Sequence, residues 1–76
     1  MSKIKVGQVW QQENDEIFVV TFIEKYDNDA FLLYTDGYTS STYISKDYNP
    51  PFIFNKLLAE YPTWQEAINS KEFNNG

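Results

Sequence analysis

The chain contains no cysteine, no histidine and no arginine, and these three absences close most of the common routes to chemistry. Without histidine, no side chain titrates near neutrality by default. Without cysteine there is neither a thiolate nucleophile nor a disulfide, and zinc sites of the usual Cys and His kind are excluded. The missing arginine leaves six Lys against eleven Asp and Glu, a net charge of −5. Binding to a phosphate backbone depends on clustered Lys and Arg, so direct nucleic-acid binding and attachment to anionic membranes are disfavoured. No apolar run approaches the ~20 residues of a membrane span, and Met1-Ser2-Lys3-Ile4-Lys5 is followed by no stretch of signal-peptide length. The expectation is a cytoplasmic protein, for which the absence of cysteine fits a reducing compartment.

What the chain does hold is aromatic mass: six Phe, six Tyr and two Trp in 76 residues. Each such ring buries roughly 150–250 Å² of surface. A chain of this length builds one core and buries only about 60% of the surface it exposes when unfolded. One domain over residues 1–73 is therefore expected, with 74–76 as a frayed tail, held by packing alone.

The pattern along the chain is mainly β. Val6-Gly7-Gln8-Val9-Trp10 alternates as a half-buried strand does, with Gly7 marking a bulge or bend. The run from Ile17 to Ile23 is almost wholly β-branched or aromatic and is the surest strand. Alternation assigns Phe18, Val20 and Phe22 to one face and Ile17, Val19 and Ile23 to the other. Both faces are thus apolar, which calls for a curled sheet covered by a helix or loop. Ala30 to Thr35 reads as a third strand, and Asp36-Gly37 predicts a type I′ hairpin, both of whose central residues have positive φ. Tyr38 to Ile44 then returns antiparallel. Pro50-Pro51 excludes a central strand there and marks a loop, with a single turn around Phe52 to Phe54. Lys56 to Tyr61 reads as a last strand in preference to a helix, because Pro62 and a capping box follow at once. In Thr63-Trp64-Gln65-Glu66 the Thr hydroxyl accepts the N–H of Glu66 while the Glu carboxylate reaches back to Thr63, so a helix begins at Trp64. Trp64, Ala67 and Ile68 share its inward face, and Phe73 anchors its end. The expected fold is a small, strongly curved antiparallel sheet or SH3-like barrel of about five strands, with one short C-terminal helix.

Three strings, Val6-Gly7-Gln8-Val9-Trp10, Tyr34-Thr35-Asp36-Gly37 and Tyr61-Pro62-Thr63-Trp64-Gln65-Glu66-Ala67-Ile68, together resemble small uncharacterised proteins of bacteriophages and prophages. The resemblance implies an accessory protein of the bacterial cytoplasm that binds a host factor. It carries over no catalytic residue, since each string has a structural explanation.

Candidate functional residues fall into two groups. Tyr34, Tyr38, Tyr43, Tyr48 and Phe52 surround the Asp36-Gly37 hairpin and the loop after it, and tyrosine is enriched in interface cores because it is amphipathic and stiff. These rings suit a groove for a protein partner, or a cage for a methylated Lys if three of them converge. Glu13, Asp15, Glu16 and Asp36 share one end of a meander, and Glu24, Asp27 and Asp29 share the other. Either group makes an acidic surface, which in a stronger form would mimic nucleic acid or weakly hold a hard cation. Asp27-Asn28-Asp29 lacks the Gly and distal Glu of a calcium loop. Carboxylate chemistry of a small hydrolase would require a cleft that nothing in the sequence indicates. The reading is a non-enzymatic interaction module with a protein partner or a second copy of itself. It has no cofactor or metal, and DNA mimicry is the alternative.

Overall fold

The computed structural model describes residues 4–74. Five strands, β1 (Gln8–Gln11), β2 (Ile17–Glu24), β3 (Asp29–Tyr34), β4 (Thr39–Tyr43) and β5 (Lys56–Glu60), precede two short helices, α1 (Trp64–Ile68) and α2 (Lys71–Asn74). All strands join one antiparallel sheet in the order β4-β3-β2-β1-β5. The first four form a meander and β5 returns to the free side of β1. The sheet stays open, with β4 and β5 as its edges, and does not close into a barrel.

β2 lies near the middle of this order, and its doubly apolar sequence has a double use. Phe18 and Val20 pack with Ile4, Ala30, Leu32, Ile44 and Phe54 on one face, where the N-terminal segment and the loop after β4 cover the sheet. Ile17 and Val19 pack with Val9, Ala67 and Phe73 on the other, beneath the helices. Both faces are covered, a loop on one side and helices on the other, where the sequence called for one outer cover by a helix or a loop.

Beyond Val20 the alternation fails. A register shift between Val20 and Phe22 places Phe22 opposite Phe31 and Ile23 opposite Ala30. A bulge adds one residue to one strand, so every side chain after it changes face. Ile23 consequently joins the Phe18 side. Phe22 moves to the helix side, past the reach of the helices, where it is 55% exposed and its ring lies 5.8 Å from that of Phe31.

The Asp36-Gly37 hairpin forms with a different turn from the one expected. Gly37 has φ +91 but Asp36 is not at positive φ, so the turn is not type I′. Tyr34 N–H donates to the Tyr38 carbonyl at 2.8 Å and Gly37 N–H to the Tyr34 carbonyl at 3.0 Å, a three-residue loop ending in a left-handed residue. The β1–β2 connection repeats it. There Gln12 N–H donates to Glu16 at 2.7 Å and Asp15 N–H to Gln12 at 3.0 Å, and Asp15 takes the left-handed position at φ 74. In both loops the middle residue caps the exit: Asn14 Oδ1 accepts Glu16 N–H at 3.1 Å and Asp36 Oδ1 accepts Tyr38 N–H at 3.0 Å. Short polar side chains tolerate this geometry because they bond their own backbone.

The Pro50 turn and β5 match expectation, with Phe54 N–H donating to the Pro50 carbonyl at 2.9 Å. Thr63 caps α1 by accepting Glu66 N–H at 3.2 Å, but Glu66 Oε2 meets the Thr63 hydroxyl at 3.3 Å rather than its backbone N–H. The helix then stops after Ile68. Ser70 Oγ donates to the Ala67 carbonyl at 2.6 Å and accepts Phe73 N–H at 3.3 Å, which turns the chain into α2 and seats Phe73 in the core. Asn74 ends α2, and the remaining tail residues and Met1-Ser2-Lys3 lie outside the described residues.

Gln8 departs furthest from the half-buried alternation. It is 2% exposed, and its side-chain carbonyl accepts both the Lys5 N–H and the Trp10 indole N–H, each at 2.9 Å. Its amide nitrogen donates to Glu60 Oε2 at 3.2 Å, so one side chain ties the N-terminal segment, β1 and β5 together.

Candidate functional site

Antiparallel geometry assigns the backbone groups of β4. Tyr34 N–H reaches the Tyr38 carbonyl and Ile44 N–H the Asn28 carbonyl, so even-numbered residues from 38 to 44 turn their backbone groups toward β3. By alternation Thr39, Ser41 and Tyr43 turn theirs outward, where β4 has no neighbouring strand. Natural edges are usually protected by charge, proline or a bulge. β5, the opposite edge, begins with exposed Lys56, ends with exposed Glu60 and carries a register shift against β1. β4 is Thr-Ser-Ser-Thr-Tyr, without charge or proline, and pairs with β3 in unbroken register.

Exposed rings lie beside this edge. Tyr38 at its start is 63% exposed and Tyr43 at its end 53%. Phe31 faces Ser41 across the β3–β4 ladder, so the Phe22–Phe31 pair continues the same face inward from the edge. The helices pack against β1 and β2 and leave this part of the face uncovered.

Of the five expected partner-binding aromatics, the structure brings two into ring contact. Tyr34 and Tyr38 lie 5.7 Å apart, and Tyr34 also packs 5.4 Å from Phe18 in the core. The Tyr34 hydroxyl donates to Gln12 Oε1 and closes the β1–β2 turn onto β3. Burial first, then the charges of Glu16 and Tyr38, raise the Tyr34 hydroxyl above its ordinary range. Tyr43 stands at the far end of β4. Tyr48 occupies the loop that follows, where its N–H and carbonyl both pair with Ser45. Phe52 lies near the β1–β2 turn, its carbonyl accepting Glu13 N–H at 2.9 Å. Among the described residues no ring contact joins these three to the Tyr34–Tyr38 pair.

Of the expected acidic residues, two share a groove. Glu16 and Asp36 line one groove with Tyr34, Thr35 and Tyr38, beside the turn that bears Glu13 and Asp15. Among the described residues no three carboxylates approach closely enough to hold a metal ion. No helix there is long and apolar enough to cross a membrane.

No family model, no curated protein and no solved structure matches the chain.

Sequence reasoning reached the rings and an exposed strand edge, but not which strand supplies that edge. An uncharged stretch of Thr, Ser and Tyr has a readable composition, yet which strand lies outermost depends on where β5 docks. A second groove, lined by Lys5, Lys25 and Lys46 over an apolar floor, also escaped it. Its lysines come from three separate segments of chain.

Proposed function

We propose that this protein is a non-enzymatic interaction module whose partner is a second copy of the same chain, joined to it along β4. The observation that carries this reading is the undefended edge: three residues with outward backbone groups, no charge, and exposed rings at both ends. A two-fold axis at Ser41 sets Ser41 against its own copy and Thr39 against Tyr43 on either side. Each outward N–H and C=O then gains a partner, and every cross-strand pair is free of like-charge repulsion. A copy is favoured over an unrelated chain because antiparallel self-pairing is complementary without further fitting, as two-fold interfaces are. Tyr38 and Tyr43, two of the aromatics expected to meet a partner, flank this seam. The setting proposed with it is the bacterial cytoplasm, as the phage resemblance implies.

Sedimentation velocity over a hundredfold concentration range tests the reading. Wild-type protein is expected to dimerise, and more strongly as salt rises, because each copy carries a net charge of −5 and salt screens that repulsion. Ser41→Lys places two ammonium groups against each other at the axis and is expected to give a folded monomer. A wild-type monomer at every concentration overturns the proposal. Binding to a basic host protein that weakens steeply with salt would favour DNA mimicry instead.

A further inference from the structure

A groove of about 500 Å³ opens at the end of the sheet where the N-terminal segment, the end of β2 and the chain after β4 meet. Its size falls in the roughly 300–1,000 Å³ range of small-molecule sites. The floor is apolar: Ile4, Ile23 and Ile44 all belong to or pack against the core, and Val6 and Phe22 also line the groove. The rim is the reverse. Lys5, Lys25 and Lys46 line it, three of the six cationic side chains in an acidic chain, while none of its eleven carboxylates does. All three lysines are exposed, and among the described residues no ion pair engages them. Glu24, Asp27, Asp29 and Asp47 of the same turns are not part of the lining. Glu24 is committed to its own turn, its carboxylate accepting Tyr26 N–H at 2.7 Å and Asp27 N–H at 2.9 Å.

This juxtaposition limits what fits. A small hydrophilic anion would satisfy the lysines and leave the isoleucine floor in water. A neutral apolar molecule would cover the floor and gain nothing from the rim. We infer that the groove formed by Ile4, Ile23, Ile44 and Phe22 beneath Lys5, Lys25 and Lys46 binds a single-headed amphiphilic anion, an aliphatic chain ending in a carboxylate. The chain lies on the isoleucines and the carboxylate sits among the three ammonium groups, where charge-assisted hydrogen bonds are strongest. The inference does not depend on pairing at β4.

Decanoate below its micellar concentration is the probe, titrated into the isotopically labelled protein and followed by amide chemical shifts. Saturable shifts are expected at Ile4, Ile23 and Ile44. Decanol, with the same chain and no charge, is expected to bind at least tenfold more weakly, and acetate not to saturate. The double variant Lys25→Gln, Lys46→Gln alters only exposed side chains, so it should melt as wild type does while losing at least tenfold in decanoate affinity. Equal binding of decanol, an unchanged affinity in the double variant, or shifts scattered over the surface would each overturn the proposal. Binding to phosphatidylglycerol vesicles without binding to monomeric decanoate would overturn it too, because it would mean a membrane surface and not a single-ligand site.

Discussion

Two glycines in this protein share a backbone conformation and differ in everything around it, which makes them a controlled experiment on packing. Gly7 has φ +95 and Gly37 has φ +91. Replacing either with alanine places an L residue in the left-handed region, at about 1–2 kcal/mol. At Gly37 nothing lies within 4 Å of the new methyl, so the cost ends there. At Gly7 the methyl would sit 2.2 Å from the Tyr61 carbonyl oxygen and 3.1 Å from its carbon. Backbone cannot rotate away as a side chain can. Gly7 is also fixed on both sides, donating to the Val20 carbonyl at 2.9 Å and accepting Tyr61 N–H at 3.0 Å. Forcing β1 from the chain leading into α1 adds roughly 1–3 kcal/mol of overpacking. Gly7→Ala is therefore expected to cost about 2–5 kcal/mol, against ~1–2 for Gly37→Ala. For domains of this size 1 kcal/mol moves the melting temperature by about 4–8 °C. Thermal unfolding followed by circular dichroism should place Gly7→Ala well below Gly37→Ala, with wild type highest. Equal melting temperatures for the two variants would refute the close approach of Gly7 to Tyr61.

Other perturbations test separate parts of the fold. Gln8→Met keeps the volume but strands the Lys5 and Trp10 N–H groups that its carbonyl accepts. An orphaned buried donor costs ~1–3 kcal/mol, so the urea midpoint should fall by a corresponding amount, and an unchanged midpoint would show that water replaces the network. The Tyr61 hydroxyl donates to Glu72 and holds that carboxyl below its ordinary value of 4.5. A lowered folded pKa contributes stability that is complete above the ordinary value and disappears as pH falls through the folded one. Tyr61→Phe should thus reduce the stability difference between neutral and acidic pH, and superimposable pH profiles would contradict the pairing. The same bond, more than burial, raises Tyr61 above its ordinary value of 10.0, so its contribution is complete below that value and fades at strongly alkaline pH.

How much was legible in advance follows from the range of each interaction. β2 was readable because burial on both faces requires apolar residues at successive positions, and that requirement is written within eight residues. The start of α1 was readable because a cap is a contact over three residues, although the Glu66 carboxylate chose the hydroxyl over the backbone. The Asp36-Gly37 hairpin was legible as a reversal and not as a turn type. One left-handed glycine serves both a two-residue and a three-residue loop, and the ladder beyond it selects between them. The bulge after Val20 leaves no mark in the alternation of Ile17 to Ile23, and so alternation puts Phe22 and Ile23 on the wrong faces.

The site residues divide along the same line. Composition alone determined that the chain lacks thiol, imidazole and guanidinium chemistry, that it is acidic, and that it is rich in aromatic rings. Where those rings point was decided by tertiary structure. β5 docks beside β1, which leaves β4 outermost with its polar, uncharged backbone edge unpaired. Lys5, Lys25 and Lys46 become neighbours only because three chain segments end at the same rim of the sheet. A strand's period is a local property of the chain, but an edge is defined by which strand fails to find a neighbour, and a groove by segments distant in sequence. Local residue preferences encode neither.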